Sequence, residues 1–140
     1  MQSRPIVLRQ TRRHRAESPE DIVGMLCDAL GIQGRSDIES AALRKIAESS
    51  VAGNGITSKA LSEELKVPRS TVIYKLNYFI NTGLVVRRGR RYFMRSASLE
   101  ETLEEIQAEM LTEFSRLMRL ASKFDEFVES EIYGRRKRKQ

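Results

Sequence analysis

Residues 56–96, ITSKALSEELKVPRSTVIYKLNYFINTGLVVRRGRRYFMRS, predict two short helices followed by a small β-hairpin. Thr57 is a suitable N-cap for the first helix, along which apolar residues recur at helical spacing. Val67 and Pro68 interrupt this pattern, because the residue before a proline is disfavoured in the helical region and proline is tolerated only at a helix start. A second helix therefore begins directly after the first.

The second helix is expected to have two faces of different character. Side chains three, four and seven positions apart share a face of a helix, so the apolar positions separate from the polar ones. One face carries Val72, Leu76, Phe79 and Ile80, and the other carries Arg69, Ser70, Ile73, Tyr74 and Asn77.

A β-hairpin rich in arginine follows the second helix. Gly83 is typical of a helix C-terminus, where a left-handed residue is needed. Two β-rich runs, residues 84–87 and 91–95, are joined by a turn at residues 88–90. Four of the five residues at 87–91 are arginines, so the tip of the hairpin is strongly basic.

This order of features, a small helix, a turn, R-S-T-V-x-x-x-L-x-x-F, G-L-V and a basic hairpin, resembles the winged helix-turn-helix of prokaryotic transcriptional regulators of the ArsR, MarR and TrmB-like groups. The resemblance covers residues 56–96 directly, and residues 36–97 with the preceding helix. It implies a mainly α fold with a small β-hairpin wing. The motif is less specific for function than for fold, because some winged helices bind protein.

The resemblance implies that the exposed face of the second helix enters the DNA major groove and that the hairpin is a wing on phosphate or the minor groove. Ser70, Tyr74 and Asn77 would then meet base edges, although the Tyr74 hydroxyl is equally suited to phosphate, and a side chain at any of these positions can serve only to position the backbone. The residues expected to bind DNA are Arg69, Ser70, Thr71, Ile73, Tyr74, Lys75, Asn77, Arg87, Arg88, Arg90 and Arg91.

Charge is distributed unevenly along the 140 residues, whose net charge is +6. A positive total permits nucleic acid, an anionic membrane or an acidic protein as partner. Residues 56–97 carry nine basic and two acidic side chains, and residues 98–133 carry three basic and ten acidic ones. Residues 1–17 and 134–140 are also basic. Positive charge is thus concentrated on the proposed DNA module and on both tails.

The first half of the chain contains three further segments. Residues 1–17 are expected to be a flexible basic arm, with a short edge strand at residues 6–8 as the alternative. Residues 18–35 open with Ser18-Pro19-Glu20-Asp21, a well-formed helix start, and this helix is expected to pack on the long dimerisation helix at residues 98–133. Cys27 within it is expected to serve packing. Ser36-Asp37-Ile38-Glu39 is a capping box that opens a helix to about residue 49. The resemblance adds a short strand at residues 55–57 that pairs with the hairpin.

A long helix is predicted over residues 98–133, because Ser98-Leu99-Glu100-Glu101 forms a second capping box and no breaker follows until Gly134. Its apolar residues follow coiled-coil spacing with one stutter, which favours a homodimer over a helix folded back into an intramolecular core. Residues 134–140 form a basic tail, either solvated or in contact with DNA. The expected dimerisation residues are Leu99, Leu103, Ile106, Met110, Phe114, Leu117 and Phe124.

The leading functional hypothesis is a sequence-specific, homodimeric transcriptional regulator that binds double-stranded DNA. The alternatives are an architectural chromatin protein that bridges or coats DNA and a winged helix that binds protein. We expect no enzyme activity, cofactor or metal site, because no nucleophile–base set, ligand cluster or phosphate-binding glycine loop is present. A cytoplasmic, nucleoid-associated protein is expected, since no apolar run approaches the roughly 20 residues of a membrane span and no signal peptide is evident. The operator and any small-molecule effector are left open.

Overall fold

The computed structural model describes residues 6–10, 15, 17–32 and 37–139, with side chains described as far as residue 135. The fold is mainly helical, at 69% of residues, with a small three-stranded antiparallel sheet and a long C-terminal helix, as the sequence predicted. Contacts divide the chain into two compact units with the boundary after Leu103. The elements in chain order are α1 (Pro19–Ala29), α2 (Ile38–Val51), β1 (Ile56–Thr57), α3 (Ser58–Leu65), α4 (Arg69–Thr82), β2 (Val85–Arg88), β3 (Arg91–Met94) and α5 (Leu99–Lys139).

Three helices begin at the hydroxyl caps that the sequence predicted. Ser18 Oγ accepts the amide of Asp21, and Thr57 Oγ1 accepts the amide of Ala60 at 3.1 Å. Ser98 Oγ likewise accepts the amide of a residue three positions on. Each bond satisfies a backbone donor that has no partner within its own helix. The Ser36 cap lies outside the described residues, and Asp37 at the start of α2 makes no side-chain cap.

The break between α3 and α4 occurs one residue earlier than the proline alone predicts. Lys66 adopts a left-handed φ of 56° and ends α3. The Ser62 hydroxyl donates to the carbonyl of Val67 at 2.6 Å, which holds the turn closed. Pro68 is then the N-cap of α4, and Gly83 ends that helix with a φ of 83°. The predicted second helix and its glycine stop are therefore confirmed.

The sheet has the order β1-β3-β2, so the short strand at Ile56–Thr57 pairs with the second strand of the hairpin, which is the central strand of the sheet. Val85 lies opposite Met94 and Arg87 opposite Tyr92, whereas Arg88 lies opposite Arg91. Because side chains alternate along a strand, these pairs divide between two faces. The face with Val85, Tyr92 and Met94 is buried.

The core lies between that face of the sheet and helices α2, α3 and α4. These elements pack on one another, and burial of their apolar side chains is the main source of stability. The buried Ser50 hydroxyl on α2 accepts the amide of Met94 at 2.7 Å and so ties the helix to β3. The most fully buried large side chains include Leu43, Ile46, Leu61, Val72, Leu76, Phe79, Leu84, Val85 and Met94.

The N-terminal residues that the structure describes differ from the expected free arm. Residues 6–10 form neither helix nor strand. The amide of Arg9 donates to the carbonyl of Ala29 at 2.8 Å, so this segment lies against the end of α1. A Cβ at Gly31 would come within 2.5 Å of the Val7 carbonyl oxygen, and the glycine permits this close approach. The rest of the predicted arm at residues 1–5, 11–14 and 16 lies outside the described residues.

The last helix is longer than predicted. It runs through Gly134 to Lys139, although the sequence pattern placed its end at residue 133. A glycine inside a helix costs only about 1 kcal/mol relative to alanine. Here it is followed by arginines and lysines, which are good helix formers, and by no proline. A single glycine is therefore too weak a signal to end the helix.

Candidate nucleic-acid interface

One side of α4 presents the residues that the sequence proposed for base contact. Tyr74 is 65% exposed and Ile73 is 37% exposed. Arg69, Ser70 and Asn77 are also exposed, whereas the opposite side of the helix is buried in the core. We call these five residues the α4 face. An arginine, two small polar groups, an aromatic hydroxyl and an aliphatic side chain together offer donors, acceptors and apolar contact to a base-pair edge.

The N-terminal end of the α4 face is fixed to α3. Arg69 Nε donates to Ser58 Oγ at 3.2 Å, and Ser58 is only 8% exposed. Arg69 is exposed, and its guanidinium has further N–H donors besides the one that bonds Ser58. Arg69 therefore joins the starts of two successive helices and keeps its charge at the surface. Thr71, also proposed for DNA contact, is half-buried.

Lys75, which the sequence proposed for DNA contact, pairs with a carboxylate of another helix. Its ammonium forms an ion pair with Glu39 of α2, a carboxylate that is only 3% exposed. Apart from this ion pair, which reaches Oε1, the carboxylate of Glu39 has no polar partner among the described residues. Burying an uncompensated carboxylate is costly, so the pair with Lys75 is what makes Glu39 tolerable in this position. Lys75 is thus engaged by Glu39 in this structure, with its side chain half-buried.

Lys75 also contacts the α4 face from behind. Its ammonium lies 5.8 Å from the centre of the Tyr74 ring, within the range of a cation–π interaction. Lys75 thus contacts both the buried carboxylate of Glu39 and the exposed ring of Tyr74. At an exposed site such a contact is worth about 0.5–1 kcal/mol, so it favours this orientation of Tyr74 modestly.

The arginine hairpin, defined as β2, β3 and the turn between them, presents arginines on both faces. Arg87 Nε donates to the Gly89 carbonyl at 2.8 Å, and its guanidinium lies 5.8 Å from the Tyr92 ring. Arg88 lies 5.5 Å from the Phe93 ring. Arg91 Nη1 donates to the carbonyl of Asn54 at 3.2 Å. These contacts orient the guanidinium groups while the residues stay exposed.

The electrostatics of the hairpin favour an anionic partner. Arg88 and Arg91 lie directly opposite each other, and like charges in that position destabilise a strand pair. Residues 84–98 contain no acidic side chain that would compensate this repulsion locally. A bound phosphate would relieve it and would accept the forked N–H groups of arginine. Gly89, with a φ of 63°, makes the turn that brings the two strands together.

Three residues that support these groups were not identified from the sequence, namely Glu39, Ser58 and Asn54. Ser58 and Asn54 accept hydrogen bonds from arginines 11 and 37 positions away, so no local pattern reveals them. The position of Glu39, in contrast, could have been recognised from the sequence. It shares the spacing of Ala42, Leu43 and Ile46 on the buried side of α2, and a carboxylate on such a stripe requires a cationic partner.

The expected dimerisation residues fall into two groups within α5. Ile106 is 7% exposed, and Leu99, Leu103 and Met110 are half-buried. Phe114 is 61% exposed, Leu117 48% and Phe124 66%. The second group is accompanied on the same helix by further exposed apolar side chains, which are Leu111, Met118, Leu120, Phe127, Ile132 and Tyr133. We call the exposed apolar side chains of residues 111–133 the α5 seam.

The remaining candidate features lie on α1 and α2. A groove of about 590 Å³ is lined by residues of both helices, with Glu20 and Asp28 on one side and Arg44 and Lys45 on the other. Cys27 is 4% exposed. Burial raises the pKa of its thiol, and a hydrogen bond with Ser40 opposes this shift. The high pKa and the burial both fit the packing role expected for this cysteine.

Among the residues that the structure describes, no cluster of His, Cys, Asp and Glu side chains is arranged to hold a metal ion. In the same part of the chain, no helix combines the length and the apolar character that crossing a membrane requires. Comparison with known proteins found no matching family, no similar characterised protein and no similar solved structure.

Proposed function

We propose that this chain is a winged helix-turn-helix protein that binds double-stranded DNA as a homodimer and regulates transcription. The observation that carries the proposal is the combination of the α4 face with the arginine hairpin. Both belong to the unit that ends at Leu103. A helix with a mixed polar and apolar face suits the major groove, which is wide enough to admit it. A basic hairpin suits the sugar-phosphate backbone beside that groove.

The α4 face supplies the sequence-reading part of this proposal. Asn77 has the amide geometry that pairs with adenine, and Ile73 offers an aliphatic surface to a thymine methyl group. Ser70 lies one turn earlier on the same exposed side. Tyr74, held by Lys75, reaches either a base edge or a phosphate with its hydroxyl. These contacts would set sequence preference, since phosphate contacts alone carry no direct sequence information.

The arginine hairpin supplies affinity. Arg87, Arg88, Arg90 and Arg91 are exposed, and each phosphate that they neutralise would release condensed counterions from the duplex. Arg69 would add a phosphate contact at the start of α4. Lys75 is not needed for this, because it compensates Glu39. The homodimer would present two copies of the same surface, as expected of a regulator that binds a site with two related halves.

An architectural DNA-binding protein is the second candidate, favoured by the five basic residues at 135–139, which lie far along the chain from the hairpin. Such a protein would bind all sequences alike. A protein-interaction role fits less well, because charged residues are depleted at the cores of protein interfaces and the hairpin is rich in them.

The experiment that separates the two DNA-binding roles begins with duplexes selected from a random library by the wild-type protein. Asn77→Ala and Tyr74→Ala should each cost about 1–3 kcal/mol on the selected duplex and little on random DNA. Gln107→Ala, an exposed amide change on α5, is the matched control. A selection that enriches no sequence, or equal losses on both duplexes, would favour the architectural role and contradict the regulator.

A further inference from the structure

The α5 seam is not covered by any of the residues that the structure describes. Phe114, Phe124 and Phe127 are between 61% and 67% exposed. Residues 111–133 at 1.5 Å per residue extend about 35 Å, so the apolar surface follows most of the exposed part of the helix. Monomeric proteins rarely expose a continuous apolar patch of this kind. The apolar spacing of the sequence is that of a helix that packs against another helix.

The charge along α5 is strongly polarised. Residues 99–113 carry six acidic side chains and no basic one, whereas residues 135–139 are five consecutive basic residues. The stretch between them is nearly neutral, with three basic and four acidic side chains at residues 114–134. The two charged ends therefore flank an apolar centre near Ala121. Charges that flank a helical seam decide the partner and its orientation.

Two copies of α5 could pair in parallel or antiparallel orientation. The charged ends repel each other in the first and attract each other in the second. In a parallel pair, the six acidic residues of one copy lie beside the same six of the other, and the two basic ends also meet. In an antiparallel pair centred near Ala121, each basic end lies beside the acidic stretch of the other copy. Near the middle, Arg116 then lies beside the partner's Glu126, whereas Arg119 lies beside the partner's Lys123. The complementarity therefore lies between the charged ends of the two helices, and the central stretch adds little to it.

We infer that the occupant of the α5 seam is a second copy of this chain in antiparallel orientation, with residues 135–139 placed against the acidic stretch of the partner helix. This inference rests on the homodimer of the proposed function and adds its geometry. It also gives the basic end of the chain a protein partner rather than a DNA partner. The pairing is isologous, which means that both copies contribute the same surface patch.

Spin labels at single cysteines measure the orientation directly. Gln107→Cys, Ser122→Cys and Gly134→Cys lie at exposed positions on α5, and a side chain at Gly134 meets no atom within 4 Å. In an antiparallel dimer the two labels at 107 are about 40 Å apart, as are the two labels at 134, because each site is about 14 residues from the centre. The two labels at 122 are within about 15 Å, the width of two adjacent helices. The wild-type chain is the labelling control, because its cysteine is buried.

Long distances at 107 and 134 with a short one at 122 would support the antiparallel dimer. Short distances at all three sites would overturn it in favour of a parallel pair. Absence of dipolar coupling between the two labels at 122 at micromolar protein concentration would overturn the dimer itself. DNA binding is tested separately, by the substitutions in the α4 face and the hairpin.

Neutralising the basic end tests the role assigned to residues 135–139. Changing all five to glutamine should raise the dimer dissociation constant about tenfold at 50 mM salt, an effect of about 1.4 kcal/mol. The increase should be much smaller at 0.5 M salt, because exposed charges are screened there. An unchanged dissociation constant with weakened DNA binding would overturn the pairing and assign these residues to DNA.

Discussion

The two units of this chain use apolar side chains in opposite ways. In the unit that ends at Leu103, large apolar residues such as Phe79 and Leu76 are fully buried. In the unit that begins at Glu104, a single helix exposes residues of the same kind, including Phe124 and Phe127. The first unit buries its large apolar side chains within itself, whereas the exposed ones of the second unit would be covered by the partner that we propose. Folding and assembly should accordingly respond to different substitutions.

The largest expected effect comes from a matched pair of phenylalanines. Phe79→Ala should lower the free energy of unfolding by about 3–5 kcal/mol at any protein concentration, because it leaves a cavity in the core. Phe124→Ala should instead lower the apparent stability in a manner that depends on protein concentration, because its exposed side chain would be covered only in the proposed dimer. Chemical denaturation at about 1 μM and at about 100 μM protein distinguishes the two variants. Concentration-independent losses for both variants would contradict the comparison.

The next effect concerns the ion pair inside the first unit. Lys75→Ala should destabilise the protein by about 3 kcal/mol, because it leaves Glu39 buried without compensation. The double variant Lys75→Met with Glu39→Leu should recover much of that loss, because the buried charge is removed as well.

The same double variant also tests the role of Lys75 in DNA binding. If Lys75 serves only Glu39 and Tyr74, the slope of log affinity against log salt should match that of the wild-type protein. A slope reduced by about 0.9, the value for one lost phosphate contact, would show that Lys75 binds the DNA backbone.

A smaller effect is expected where α2 is tied to the sheet. Ser50→Ala removes the hydroxyl that accepts the Met94 amide and leaves that buried donor without a partner, at a cost of about 1–3 kcal/mol. Ser122→Ala, which removes an exposed hydroxyl on α5, is the control and should change the free energy of unfolding by less than about 0.5 kcal/mol. Equal effects of the two substitutions would show that the Ser50 bond adds nothing.

Much of the fold was predictable because its signals are local. The caps at Ser18 and Thr57, the break near Pro68 and the stop at Gly83 each depend on residues within one helical turn. The two faces of α4 followed from spacing alone. The strand Ile56–Thr57 was expected from the resemblance, and it pairs with β3 as proposed.

The contacts that orient the candidate site were not predictable in the same way. The partner of Lys75 lies on another helix, and the partner of Arg91 lies in a loop 37 residues away. Such pairs are set by tertiary packing, which no local pattern encodes. The basic residues of α4 consequently looked alike in the sequence, although Arg69 is exposed and Lys75 is held against a buried carboxylate.

The most direct test of the central claim is the salt dependence of DNA binding by the arginine hairpin. Arg88→Ala combined with Arg90→Ala should weaken binding to selected and random duplexes alike and should reduce the log–log salt slope by about 1.8, or about 0.9 for each phosphate contact. Lys45→Ala combined with Lys59→Ala removes the same charge from α2 and α3, outside the α4 face, the hairpin and the α5 seam, and should leave the slope unchanged. A hairpin variant with the wild-type slope would contradict the account, because the hairpin would then not contact DNA.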